Sequence, residues 1–252
     1  MTEQNKRKKT KAEAKRRAPL TRDRVLDAAL ALADRHGLDA VTMRSVGQAL
    51  SVEAMSLYKH VANKDAILDG LVERVMREIV LPDDRLPWRA WLTERATTTR
   101  RVLLAHRFAA TLIESRLAPT PARLTHHEAV LRCLRRAGFS VEAAYGAFLS
   151  LDSYVYGFVL QEVSWPFSPE QRVDVVDDLA PVFADGAYPH MIEVMELVVA
   201  RTEAHRRRGA RAPADRAVAS AAGYDADFVF GLELLLDGLE LHLTTTRKRR
   251  PR

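Results

Sequence analysis

A single cysteine, Cys133, occurs in the 252 residues, so no disulfide can form within the chain and a reducing cytoplasm is the expected setting. No apolar run is long enough to span a bilayer, and no apolar stretch follows the basic N-terminus as it would in an export signal, so the expectation is a cytoplasmic protein that does not enter the membrane. No sustained alternation of apolar and polar residues suggests a sheet. Glycine-rich phosphate loops are missing, as are Ser/His/Asp, Cys/His or metal-spaced clusters, which leaves an enzyme without its usual constellations. Neither a catalytic residue nor a cofactor is expected.

Positive charge is plentiful but unevenly placed. Residues 1–19 carry eight Lys or Arg against Glu3 and Glu13, which already equals the net charge of +6. Five further cations lie in the tail 247–252, so the body between the tails is net acidic. A basic arm can follow phosphates along DNA, or it can be a solvated tail that aids solubility.

Nearly half of the residues are hydrophobic (47%), enough for a sizeable core. Their spacing is helical, and the fold expected is all-α: a small N-terminal helical domain over 20–81 and a larger one over 86–246. Thr21 is placed to cap a first helix that ends at Gly37. Thr42 opens a second, short helix, and a third element covers about 54–60. Asn63 caps a longer helix that the proline at 82 stops. Pro82, Asp83, Asp84 and Pro87 mark a boundary. Further helices are expected at 88–105, 107–117, 121–137, 140–163, 188–206 and 225–246, with a short helix among Pro166, Pro169 and Pro181 and a mobile loop at 207–223.

Function is written most clearly into Thr42–Val61. Two short helices joined by a tight turn need apolar residues where they cross, and Val46, Leu50, Val52 and Leu57 supply them. Gly47 sits at the crossing, although glycine within a helix costs about 1 kcal/mol relative to alanine. Such a pair is a helix-turn-helix, whose second helix enters the major groove; the plainer reading is an ordinary helical corner. In the first reading Thr42, Met43 and Arg44 approach DNA, with Arg44 able to pair with guanine or a phosphate. Ala54, Met55 and Ser56 begin the recognition helix and suit thymine methyls or water-mediated contacts. Tyr58, Lys59, His60 and Lys64 offer phosphate contacts. At the turn stands Ser51, where glycine would tolerate a left-handed backbone better.

The run Val52-Glu53 through Leu57-Tyr58, His60-Val61, Asn63-Lys64 and Ala66–Asp69 resembles the DNA-binding domain of the TetR (tetracycline repressor) family. Trp88, Leu103–Arg107, Gly138-Phe139-Ser140 and Phe230–Leu234 resemble the ligand-binding domain of the tetracycline repressor branch, so that the likeness covers about residues 20–165 and 224–241. It implies a homodimeric, ligand-responsive repressor whose two recognition helices meet a palindromic operator in double-stranded DNA. It further implies that a small-molecule effector in the C-terminal domain releases the DNA. The helices at 140–163, with Tyr145, Phe148, Leu149, Val155, Phe158 and Val159, and 225–246, with Phe228, Leu232, Leu235, Leu236, Leu239 and Leu243, would form the dimer interface; by pattern alone the same faces would serve as monomer core.

The family's drug-binding His and Asn align with Ile113 and Arg95, a pocket Phe with Thr99, and a magnesium-linked Glu with Gln161. These departures argue against a tetracycline–magnesium effector, and a different one is expected. Candidate lining residues are Arg95, Thr99, Ile113, His127, Tyr145, Phe148 and Asp152. Arg95 and Asp152 could orient a polar ligand in an apolar cavity, or satisfy each other as a structural pair. His126 and His127 do not form a metal site, since neighbours on a helix diverge by roughly 100°. Cys133 reads as inert core, with Arg132, Arg135 and Arg136 leaving a redox role open. A competing function is a helical protein that holds DNA, or a small molecule, without operator selectivity.

Overall fold

The computed structural model describes residues 19–116, 119–164, 186, 188–207 and 225–249. The basic arm up to residue 18, the short helix expected among Pro166–Pro181, nearly all of the loop at 207–223 and the last three residues lie outside these. Among the described residues all regular structure is helical, and no helix is long and apolar enough to cross a membrane. The helices are α1 (Arg22–His36), α2 (Met43–Leu50), α3 (Ala54–Leu57), α4 (Lys64–Glu78), α5 (Trp88–Ala105), α6 (Ala109–Ser115), α7 (Pro121–Ala137), α8 (Val141–Ser164), α9 (Pro189–Arg207) and α10 (Asp225–Arg249), with one 3-10 turn at Leu38–Ala40.

Caps set where these helices begin. The Arg24 N–H donates to Thr21 Oγ1 at 3.3 Å, the Ala66 N–H to Asn63 Oδ1 at 2.8 Å and the Ala143 N–H to Ser140 Oγ at 3.1 Å. Each satisfies a donor that the first turn would otherwise leave without an acceptor. Gly37, at φ 80°, ends α1 as its N–H returns to Ala33 O. Three elements are shorter than expected. α4 stops at Glu78, short of Pro82; α6 is only seven residues; and the recognition element is a single helical turn, Ala54–Leu57, followed by non-helical turns.

Two compact units divide the chain. The first holds the described residues up to Leu81 together with His106–Ala129. Its core is built by Val25, Leu26 and Ala29 of α1, Val46 of α2, Leu57 of α3, and Ile67, Leu71 and Val75 of α4, all buried. Burying each large side chain is worth about 1.5–3 kcal/mol. α1 and α4 cross so closely that a Cβ on Gly70 would come within 2.4 Å of Leu26. The second unit holds Pro82–Ala105 and the described residues from Val130 onward. Trp91, Leu92, Leu134, Leu151, Val155, Val159, Phe228, Leu232 and Leu236 fill its interior.

The faces proposed for dimerisation divide differently from the sequence pattern. Val155 and Val159 of α8 are buried inside the unit, as are Phe228, Leu232, Leu236 and Leu243 of α10. What remains exposed is a second stripe on each helix: Val141, Tyr145 and Leu149 on α8, and Phe230, Leu234 and Leu241 on α10. Both helices are apolar on two sides, and a 3.6-residue period cannot tell which side turns inward.

Candidate functional site

The turn between α2 and α3 is fixed by backbone geometry. Thr42 and Ser45 form a reciprocal capping box: the Ser45 N–H donates to Thr42 Oγ1 at 3.1 Å and the Thr42 N–H to Ser45 Oγ at 2.9 Å. At the far end Ser51 takes φ 58°, ψ 43°, the left-handed conformation, and is the only non-glycine at positive φ among the described residues. This lets the Val52 N–H reach Gly47 O at 2.9 Å. A Cβ on Gly47 would lie 2.9 Å from Val52 O and 3.3 Å from Ala54 N, so glycine is required here by the returning turn. Of the expected crossing residues, Val46 and Leu57 are fully buried, while Leu50 and Val52 are half-buried at the rim.

With Leu57 and Val61 sunk into the core, the other side of α3 faces outward. Met55 is 72% exposed and Tyr58 48%. Thr42, Arg44, Lys59 and Lys64 are exposed as well, and Met43, Ala54, Ser56 and His60 are partly so. Arg44, Lys59 and Lys64 form no ion pair among the described residues. All ten residues expected to face DNA therefore belong to one unit and have accessible surface, with basic groups flanking an apolar tip.

Helix α6 is tied to α4 at both ends. The buried His106 ring, just before α6, meets Asp34 of α1 through Nδ1 at 2.8 Å and Glu78 of α4 through Nε2 at 3.0 Å. Burial opposes the charge on this imidazole, but the hydrogen bonds to Asp34 and Glu78 outweigh it and raise its pKa. Beyond the other end, Arg116 donates to Asp69 at 2.7 Å and Asp65 at 2.8 Å on the first turns of α4. The local sequence does not mark Arg116, and it marks His106 only as part of the Leu103–Arg107 run that carries the family resemblance; neither tie is legible, because the partners lie 28 to 72 residues away.

The candidate effector residues fall in both units. Ile113 (buried) and His127 (half-buried) belong to the first, and the imidazole fixed in the core there is the neighbouring His126, whose Nε2 meets Met76 O at 2.9 Å. In the second unit Arg95 of α5 pairs with Asp152 of α8, Nη1 to Oδ1, at 2.5 Å. Phe148 is half-buried, and Tyr145 turns outward with Leu149. Arg95 Nε and Thr99 Oγ1 are buried with no hydrogen-bond partner among the described residues.

A second buried ion pair has almost no signature in the sequence. Arg100 donates from Nε and Nη2 to Glu162 at 3.0 Å and from Nη1 to Asp225 at 2.6 Å, with its guanidinium 5.0 Å from the Phe228 ring centroid. A carboxylate inside the apolar run of α8 is its only sequence signal. Cys133 is half-buried, and burial pushes its thiol pKa up to about 11, which withholds the reactive thiolate near neutrality. No group of three His, Cys, Asp or Glu is placed to hold a metal among the described residues.

Comparison with known proteins agrees with this architecture. Residues 25–71 match the family described as bacterial regulatory proteins, tetR family, and residues 81–208 match the tetracyclin repressor-like C-terminal domain. The chain is 34% identical over 195 residues to an HTH-type transcriptional regulator of Saccharopolyspora erythraea, covering 76% of this chain and 82% of that one. The TetR family protein ActR of Streptomyces coelicolor, solved in complex with actinorhodin, superposes with a TM-score of 0.63 at 29% identity, covering 88% of this chain and 96% of ActR. BioQ, solved with its double-stranded DNA operator, superposes with a TM-score of 0.54 at 28% identity, covering 74% of this chain and all of that one. The chain belongs to the TetR family of bacterial transcriptional regulators, with a tetracycline repressor-like C-terminal domain.

Proposed function

We propose that the protein is a ligand-responsive repressor that binds a palindromic operator as a homodimer and releases it when a small molecule other than tetracycline enters the C-terminal domain. The observation that carries this reading is the exposed tip of α3, with Met55 projecting above the buried Leu57. Residues 20–81 would grip DNA in the cytoplasm, with the arms 1–19 and 247–252 adding unspecific attraction. Arg44 reads guanine or anchors a phosphate; Ala54, Met55 and Ser56 meet base edges; Thr42, Met43, Tyr58, Lys59, His60 and Lys64 line the backbone contacts. Residues 86–246 would hold the effector and the dimer interface. The exposed stripes on α8 and α10 support that assignment, because large apolar patches on a free surface call for a partner. The relatives bear on both halves of the proposal: BioQ was solved on its operator and ActR with a small molecule.

Selection of bound duplexes from random DNA, repeated with a panel of hydrophobic drugs and metabolites, tests the proposal directly. An inverted repeat should emerge, and one class of compound should abolish its recovery. Changes at Ala54 or Met55 should alter the preferred bases, at about 1–3 kcal/mol per contact, whereas Tyr58→Ala or Lys64→Ala should weaken all sequences alike. Failure to select any duplex at moderate salt would sink the reading.

A further inference from the structure

We infer that the effector is an uncharged molecule that offers an oxygen acceptor to the buried edge of Arg95 and a second polar atom to Thr99, with Asp152 setting its charge class. This rests on the reading that the C-terminal domain receives an effector, and it names the chemistry of that effector.

Two buried arginines of α5 engage carboxylates in the same unit, and they differ in how completely. Arg100 uses Nε, Nη1 and Nη2, on Glu162 and Asp225. That pair has the saturation expected of a structural element. Arg95 is as deeply buried, at 2% exposure, yet its bond to a carboxylate runs from Nη1 alone, to Asp152, and Nε stays enclosed without an acceptor. One helical turn further on, Thr99 repeats the pattern. Its neighbours Thr93 and Thr97 bond back to the carbonyls of Arg89 and Thr93, the default for a helical hydroxyl. Thr99 makes no such bond, although it is 1% exposed. Enclosed donors without acceptors are costly, and two on the same helix face, four residues apart, mark a place where a partner is to be supplied.

The chemistry of that partner follows from the groups present. An arginine Nε–H can only donate, so it calls for an oxygen or nitrogen acceptor; the Thr99 hydroxyl can donate or accept. Asp152 already neutralises Arg95. An anionic effector would bring a second negative charge beside Asp152 away from water, and a cationic one would face Arg95, so both carry a desolvation penalty without compensation. A neutral molecule with ketone, quinone, ester or lactone oxygens carries none. Two oxygens on a rigid ring frame can span the turn between the two side chains, whose Cβ atoms lie about 5–6 Å apart.

Matched probes on naphthalene, anthracene and decalin frames test this, each frame carrying two methyl ketones, two methyl esters or two carboxylates on different ring positions. Binding to the full chain is read by ligand-observed NMR and by shift in melting temperature. The neutral members should bind and the carboxylates should not. Thr99→Val should keep or raise the melting temperature of the free chain, since it removes an unpaired hydroxyl at constant shape, while weakening the neutral probes about fivefold to tenfold. A purely structural threonine would not separate those two readouts. Asp152→Asn should shift selectivity toward the carboxylates by uncovering the charge of Arg95. Equal or better binding of the carboxylates to the unaltered chain, an unchanged affinity in Thr99→Val, or no binding by any neutral probe would overturn the inference; the last would leave water as the partner of both groups. Duplex selection without probe keeps this apart from the regulator reading: a chain that selects an operator yet answers only to carboxylates loses the inference alone, whereas one that selects no duplex but binds the ketones loses the regulator alone.

Discussion

Single residues carry the geometry of the DNA-facing turn, and Ser51 is the most instructive. Its left-handed backbone costs an L-residue roughly 1–2 kcal/mol, and glycine would avoid that cost while losing more entropy on folding. Ser51→Gly is therefore expected to raise stability by about 0.5–1 kcal/mol, read as a higher urea midpoint with an unchanged slope. A lower midpoint would mean that hydrogen bonding by the serine outweighs the strain. The demand for an unusual backbone at this position was legible, because Ser51 stands at the tight turn between two short helices, where a left-handed residue is called for. The partners of Arg100 and Arg95 were not equally legible. Arg95 and Asp152 could be paired only as alternatives, and Arg100 with Glu162 not at all, since residues 57 and 62 positions apart meet through packing that no local pattern encodes.

At the scale of helices, starts were readable and faces were not. A cap is a contact between neighbours, so Thr21, Thr42, Asn63 and Ser140 announce themselves. The inward side of α8 or α10 depends on what the rest of the unit presents, and the stripe through Leu232 and Leu236 proved to be core. The ties between α4 and α6 are of the second kind, and they give the fold a pH dependence. His106 has a folded pKa above its ordinary value because Asp34 and Glu78 both bond its ring. The folded chain thus holds the proton more tightly than the unfolded chain. Its contribution is complete below the unfolded pKa of about 6.5 and is lost as pH rises through the folded value. Urea midpoints taken from about pH 6 to pH 9 should fall more steeply for the natural chain than for His106→Gln, in which the amide keeps a hydrogen bond without a titrating charge. Identical slopes in the two proteins would assign the pH dependence to other groups.

Across the whole molecule, what adds up linearly along the chain could be read, and what folds back could not. The compact units change over between Leu81 and Pro82, within one residue of the start of the Pro-rich break, but His106–Ala129 rejoins the first unit, which no linear pass can see. The second copy implied by the exposed stripes gives one prediction at this scale. Leu234→Glu places a charge on the outer face of α10, away from the buried Leu232 and Leu236, so it should leave the helical signal intact while converting a dimer into monomers by sedimentation. A dimer that persists would move the interface elsewhere. The distribution of charge gives the other. Removing residues 1–19 deletes eight cations from a chain whose body between the tails is acidic. Affinity for any duplex should therefore drop, and the slope of log affinity against log salt should flatten by about 0.9 for each phosphate that the arm no longer neutralises. Base choice resides in the side chains at the tip of α3, which the deletion leaves in place, so the preferred sequence should survive unchanged. If selectivity vanished along with the arm, the basic tails would be holding DNA by charge alone, and the exposed Met55 would need another partner.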